Sequence, residues 1–206
     1  MAQYTKNPPL LEAALAADPL IQLDRWLGDA QAAGMIEPTA MTLATVDAQG
    51  RPSARMVLFK GVHNGALTFY TNHESRKGRE LAANPRVALV FWWDRLERQV
   101  RVEGMAQRLP VEVARRYFYT RPRESQIGAL ISRQSAIVAD RATLDRRYDE
   151  TVARLAGADV PYPEHWGGYG VTPQCVEFWQ GRSGRLHDRL CYQRAGDGWR
   201  IDRLEP

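Results

Sequence analysis

From Met41 onward the apolar residues recur at every second position, in short runs that stop at turn-forming residues. Met41 to Ala48, Pro52 to Lys60 and Ala66 to Thr71 read as strands, separated by Asp47-Ala-Gln-Gly50 and His63-Asn-Gly65, both turn chemistry. Arg86 to Trp93 and Glu97 to Leu109 continue the pattern, and three more strands close the chain at about 168–180, 186–194 and 199–203. Many short strands joined by tight turns leave few architectures. The expected fold is mainly β (α+β), an antiparallel barrel with helices packed outside it.

The helical signals are fewer. The first 17 residues read as a loosely structured arm ahead of one domain over 18–206. Asp18-Pro19 supplies an N-cap and an N1 proline for a helix through Leu20, Leu23, Leu27 and Ala30, with Gly34 as its stop. Ser75 caps a short helix that ends near Asn84-Pro85. Helical segments fill about 110–157 and break near Thr120-Arg-Pro122. The prolines and aromatics of Pro161-Tyr-Pro-Glu-His-Trp-Gly-Gly168 make that stretch a structured loop.

At 206 residues, 44% hydrophobic and 25% charged, the chain has the profile of one soluble domain with a sizeable core. No apolar run approaches the roughly 20 residues of a membrane helix, so no membrane partner is expected. Met-Ala-Gln-Tyr-Thr-Lys lacks the apolar region of a secretion signal, so the expected location is cytoplasmic. Cys175 and Cys191 read equally as reduced core residues or a disulfide, and His63, His73, His165 and His187 show no ligand spacing; no metal is expected. Lys6, Lys60 and Lys77 are the lysines among 28 basic residues, which leaves 25 arginines. Genomic composition explains most of them. Acidic residues are interspersed throughout, which fits discrete phosphate pockets better than a nucleic-acid surface.

Three basic groups stand where anions bind. Arg55-Met-Val-Leu-Phe-Lys60 carries a cation at each end of an apolar strand, Tyr70-Thr71 ends the next strand, and Ser75-Arg76-Lys77 opens a helix whose free amides favour an anion. Arg55, Arg76 and Lys77 are expected to converge on one phosphate. Tyr117-Phe-Tyr-Thr-Arg-Pro-Arg-Glu-Ser125 places Arg121 and Ser125 beside a second helix start, and Ser132-Arg-Gln-Ser135 follows. One phosphate does not need so many donors; two phosphorylated ligands do. In Val176-Glu-Phe-Trp-Gln-Gly-Arg-Ser-Gly-Arg-Leu-His-Asp-Arg189 a strand breaks at a Gly-rich turn and resumes. If it resumes extended, Arg185, His187 and Arg189 share a face opposite Trp179, suited to a flat anionic ligand.

Arg-Met-Val-Leu-Phe-Lys, Phe-Tyr-Thr-Asn, Ser-Arg-Lys, Glu-Arg-Gln-Val-Arg-Val-Glu-Gly, Arg-Pro-Arg-Glu-Ser-Gln-Ile-Gly and Glu-Phe-Trp-Gln with Arg-Leu-His-Asp-Arg occur in that order. In these motifs the chain resembles the pyridoxine/pyridoxamine 5′-phosphate oxidases, from about Ala17 to Pro206. The resemblance implies an FMN-binding split β-barrel and a homodimer with a flavin in each of two clefts between subunits. It implies flavin contacts at Arg55, Met56, Val57, Leu58, Phe59, Lys60, Tyr70, Thr71, Arg76, Lys77, Gln99, Gln134, Ser135, Trp179 and Arg189. Substrate contacts fall on Lys60, Tyr117, Arg121, Ser125, Arg185, Leu186 and His187, with Arg185 and His187 nearest the chemistry. Two positions depart from the family pattern: the arm ahead of Tyr4 is short, and Gly170 stands where an arginine is common.

The implied reaction is oxidation of pyridoxine or pyridoxamine 5′-phosphate to pyridoxal 5′-phosphate, with hydride leaving C4′ for flavin N5 and dioxygen returning as hydrogen peroxide. The protein's share is orientation and electrostatics. A non-catalytic split-barrel protein that carries or senses flavin or pyridoxal phosphate is the alternative, and the set at 117–125 and 185–187 discriminates, since a flavin-only binder has no use for it. A basic barrel binding nucleic acid is a more distant one.

Overall fold

The computed structural model describes residues 7–206. Residues 1–6 of the expected arm, and any lid formed by them, lie outside the described residues. From Asn7 onward the arm is tied down: Gln180 Nε2 donates to Pro8 O (2.7 Å), Leu10 N–H donates to Asp188 Oδ2 (3.0 Å), and Arg203 Nη2 donates to Leu10 O (2.7 Å). The looseness read from its composition is not what this segment shows.

Asp18 caps α1 (Pro19–Ala32) as its sequence requires, its Oδ1 accepting Leu20 N–H at 2.7 Å. The strands β1 (Ala40–Val46), β2 (Pro52–Leu58), β4 (Ala66–Asn72), β5 (Arg86–Trp93) and β6 (Arg98–Arg108) fall where the alternation put them. A two-residue strand β3 (Val62–His63) precedes β4. Asn64 and Gly65 then turn the chain with φ of 49° and 75°, the left-handed pair a tight hairpin needs. α2 (Arg76–Ala83) links β4 to β5.

The helical region divides into α3 (Val111–Thr120), α4 (Arg123–Ile131) and α5 (Arg141–Leu155). The break at Arg121-Pro122 was expected; the second one, over 132–140, was not. β7 (Trp166–Gln180), β8 (Asp188–Ala195) and β9 (Gly198–Arg203) finish the chain. The Gly-rich turn extends further than the sequence suggested. Ser183–Arg185 form a 3-10 turn, Gly184 and Arg185 have φ of 68° and 64°, and β8 starts only at Asp188. Arg185, His187 and Arg189 are therefore not successive members of one strand face. Two glycines that free the turn to coil explain the difference.

All strand pairs are antiparallel, in the order β2-β1-β5-β6-β7-β4-β3, with β8 on β7 and β9 on β8. Only residues 59–61 separate β2 from β3, at opposite ends of that order, so the sheet curls until its ends meet. Lys60 N–H donates to Thr68 O (2.8 Å) and Thr68 N–H to Gly61 O (2.9 Å) across that closure. β7 splits its pairing: residues 166–171 bond β4, and residues 175–180 bond β8. The result is a split antiparallel barrel.

Alternation then places Met41, Leu43, Phe69, Leu89, Phe91, Val100, Val102 and Phe178 inside, all fully buried. A second apolar cluster, Phe118, Ile127, Leu155, Val160 and Trp166, lies under the helices. No helix among the described residues is long and apolar enough to cross a membrane.

Candidate active site

One cavity of about 420 Å³ gathers eleven of the residues singled out in the sequence: Met56, Val57, Leu58, Lys60, Tyr70, Thr71, Lys77, Tyr117, Arg121, Ser125 and Gln134. Pro122 and Trp166 complete its wall. Strands β2 and β4 meet here at the barrel closure, and the starts of α2 and α4 face it. That convergence brings together residues as far apart in the chain as Met56 and Trp166.

At the α2 end the donors are organised around side chains of the protein itself. Ser75 caps the helix through Gly78 N–H (3.3 Å), and a Cβ at Gly78 would lie 2.0 Å from His73 O, so the first turn sits hard against the preceding loop. Lys77 Nζ donates to Thr71 Oγ1 (3.2 Å) and Gln134 Oε1 (3.3 Å), and Arg76 N–H donates to Ser135 Oγ (3.1 Å). Burial, and then the Arg55 charge, push the Lys77 ammonium below its ordinary value, partly opposed by Glu80.

Arg55 and Arg76 do not line this cavity. They converge instead on the carboxylate of Glu80, Arg55 Nη2 at 3.0 Å and Arg76 Nε at 2.8 Å. Arg55, Arg76 and Lys77, expected to converge on one phosphate, lie around a buried carboxylate that pairs with the two arginines, because α2 presents residues 76 and 80 one turn apart on the same side. Glu80 is a residue the sequence reading missed. Its signal was there, four positions after Arg76. Phe59 also turns away from the cavity, its ring buried edge-on against Phe91 at 5.8 Å.

The α4 end is built differently. Tyr70 and Tyr117 stack at 3.9 Å and 19°, and Trp166 lies parallel to Tyr70 at 5.5 Å and 8°. Desolvation raises the Tyr70 phenol above its ordinary value. The Arg121 guanidinium rests over Trp166, 4.8 Å from the ring centre, and its Nη1 is buried with no hydrogen-bond partner. An unsatisfied buried donor on a permanent cation is costly. Lys60, Tyr117 and Ser125 line the same end of the cavity, a donor set suited to an anion. Pro122 offers no capping side chain to α4, so the amides of that first turn are left without a side-chain cap, a position that favours an anion.

The remaining predicted residues form a second group. Gln99, Trp179 and Arg189 are register partners in one row across β6, β7 and β8. Arg189 Nε and Nη2 reach Glu177 Oε1 and Oε2 at 2.8 and 3.1 Å, and this pairing raises the guanidinium's pKa. His187 stacks at a tilt on Trp179, 4.7 Å between centres. Its Nδ1 accepts Arg182 N–H at 3.1 Å, which leaves any ring proton on Nε2. Burial and the Arg185 charge lower its pKa. Leu186 is 74% exposed. None of this group lines the cavity. Trp166 and Trp179 stand at opposite ends of β7, a contour of roughly 40 Å at ~3.3 Å per residue.

Gly170, the departure noted in the sequence, is buried on β7, and a Cβ there would sit 3.0 Å from Ala66 Cβ and 3.2 Å from Leu109 Cδ2. Those two side chains occupy the space next to it. The Cys175 and Cys191 thiols are free, with sulfurs 3.1 Å apart.

Comparison with known proteins places the chain in a family. Residues 27–153 match the family model described as pyridoxamine 5′-phosphate oxidase, and residues 166–206 match the pyridoxine 5′-phosphate oxidase C-terminal dimerisation region. The pyridoxine/pyridoxamine 5′-phosphate oxidase of Burkholderia multivorans is 54% identical over 95% of this chain and 92% of its own. That of Rubrobacter xylanophilus is 53% identical over 99% and 94%. Among solved structures, PhzG from Burkholderia lata, in complex with tetrahydrophenazine-1-carboxylic acid, superposes with a TM-score of 0.90 at 32% identity, covering 96% of this chain and 98% of that one. An FMN-binding protein from Nostoc punctiforme shares the fold, with a TM-score of 0.75 at 14% identity over 93% of this chain and 100% of its own. By a family match over most of its length and by full-length relatives above half identity, the chain belongs to the pyridoxine/pyridoxamine 5′-phosphate oxidase family.

Proposed function

We propose that the protein binds FMN and oxidises pyridoxine or pyridoxamine 5′-phosphate to pyridoxal 5′-phosphate, with dioxygen as acceptor and hydrogen peroxide as product. The observation that carries this reading is the pair of unlike cationic cradles on one cavity, Lys77 with Thr71 and Gln134 at one end and the unpartnered Arg121 at the other. A binder of flavin alone has no use for the second. When bound, FMN supplies the two-electron acceptor for hydride from the substrate's C4′ and the route to dioxygen.

The chain's own residues do the rest. Lys77, Gln134, Ser135 and the start of α2 hold the cofactor phosphate. Lys60, Tyr117, Arg121 and Ser125 hold the substrate phosphate, so that binding energy remote from C4′ fixes the ring for reaction. Arg185 and His187 close over the substrate ring, and Arg189 and Gln99 face the flavin's pyrimidine end. Their distance from the cavity along β7 supports a site completed by a second copy of the chain, each dimer holding two such sites. The match to a dimerisation region over 166–206 and the exposure of Met56, Trp92 and Leu186 support the same reading.

A second reading follows from the likeness to PhzG, whose solved complex holds a carboxylated tricyclic compound. A flavoprotein of that kind would take a carboxylate where the phosphoester is proposed. The higher identity to the phosphate oxidases favours the first. The test is oxygen consumption by the purified yellow protein given pyridoxamine 5′-phosphate, pyridoxamine, or a reduced aromatic carboxylate. Turnover of the phosphoester in preference to the other two is expected. Yellow protein inert toward all three would point to a carrier.

A further inference from the structure

We propose that Trp166 is a positioning residue for the substrate phosphate: its indole carries the Arg121 guanidinium where another protein would use a carboxylate. This deepens the proposed function and rests on it.

Arg121 is half-buried, yet among the described residues no carboxylate lies within ion-pair distance of it. Its neighbours are faces of rings, Trp166 at 4.8 Å and Phe118 at 5.8 Å from the guanidinium carbon. The contrast with the α2 end is direct, since Arg55 and Arg76 share the buried carboxylate of Glu80. A carboxylate partner would hold Arg121 firmly, but it would cancel the charge and occupy the same N–H edge that a phosphate needs. A π face attracts the cation through the flat side of the guanidinium and leaves the N–H edge open. The unsatisfied Nη1 is what such support leaves behind.

Trp166 is itself well fixed. It is 7% exposed, its backbone N–H donates to Pro163 O at 3.0 Å, and its backbone carbonyl accepts Tyr162 Oη–H at 2.6 Å. Its ring runs parallel to that of Tyr70. The guanidinium is thereby held against the barrel wall before any ligand arrives, which spares the substrate the cost of ordering a long side chain.

The experiment compares W166L and W166F with the unaltered protein, using pyridoxamine 5′-phosphate and unphosphorylated pyridoxamine, and titrates FMN into each apoprotein. For W166L the KM for the phosphoester should rise about tenfold, between the effects of an exposed and a fully desolvated cation–π contact, as suits a half-buried arginine. Its kcat and FMN affinity should hold, and kcat/KM for pyridoxamine should change little. W166F should recover part of the loss, and it carries the test alone if W166L does not fold. Equal losses for both substrates, or an unchanged phosphoester KM, would overturn the proposal. If the unaltered protein fails to discriminate between the two substrates, the phosphate cradle itself is refuted, a result separable from any effect at Trp166.

Discussion

The carboxylate of Glu80 accepts Arg55 Nη2 at 3.0 Å while also taking Arg76 Nε, Ser53 Oγ and Thr45 Oγ1, so one buried group ties β1, β2 and α2 together. These four donors, outweighing the opposing effect of its burial, hold the Glu80 carboxyl down at about 2 from an ordinary 4.5. The unfolded chain therefore takes up this proton at a higher pH than the folded one. Stability from Glu80 is complete above about 4.5 and is lost as pH falls toward 2. E80A should destabilise the protein by about 3 kcal/mol at neutral pH, the low end for breaking a buried pair, because Arg55 remains partly solvated. Chemical denaturation at pH 7 and pH 3 checks both: the deficit of E80A should be smaller at pH 3, and a constant deficit would disprove the linkage.

His73 titrates in a different window. Desolvation first, then the charges of Arg108 and His165, lower its imidazole to about 4 from 6.5. Here the unfolded chain gains a proton below about 6.5 while the folded one stays neutral, so stability is complete above that value and declines as pH falls toward 4. H73Q should flatten the fall in urea midpoint between pH 7.5 and pH 5. A parent protein with no fall across that interval would show that the shift is absent.

Much of this fold was written in local chemistry. The period-two runs, the Asn64-Gly65 turn and the Asp18-Pro19 cap all act over a few residues, and each appeared where its residues demanded. What escaped was set at longer range. The break at 132–140 carries no proline, and its one local signal is Asp140, whose Oδ1 caps α5 by accepting Thr143 N–H at 2.7 Å. Arg55 and Arg76 were legible as anion-seeking cations. That they spend donors on Glu80 depends on α2 packing beside β2, which no motif states. Arg185 was misplaced because alternation was carried through Gly184, where a left-handed turn interrupts it. The division of the site residues between the cavity and the far end of β7 emerges only with the strand order.

Cys175 and Cys191 offer a check on the β7–β8 hairpin. Burial, then the hydrogen bond with Cys191, pushes the Cys175 thiol up to about 12. Thiolate is the reactive form, so this sulfur should be almost inert at pH 8. Alkylation by iodoacetamide should proceed in the folded protein at least a hundredfold more slowly than in urea, given a shift of several pH units. Modification at comparable rates in both states would mean that the hairpin opens readily.

The proposed sharing of one site between two copies makes the sharpest demand on assembly. If Arg121 and Arg185 serve one site from two copies, a defect in each can be placed on different subunits. Arg121→Leu and Arg185→Leu homodimers should each lose most of their turnover, since every site then contains the lesion. Mixing the unfolded or subunit-exchanged proteins at equal amounts gives hybrids in half of the dimers. Each hybrid has one site with both lesions and one with neither, so turnover should recover to about a quarter of the parent's, as expected for a two-fold dimer. Were both residues to act within one copy, every site in the hybrid would keep a lesion and mixing would restore nothing. Recovery measured with pyridoxamine 5′-phosphate, against an unmixed control taken through the same exchange, separates the two arrangements.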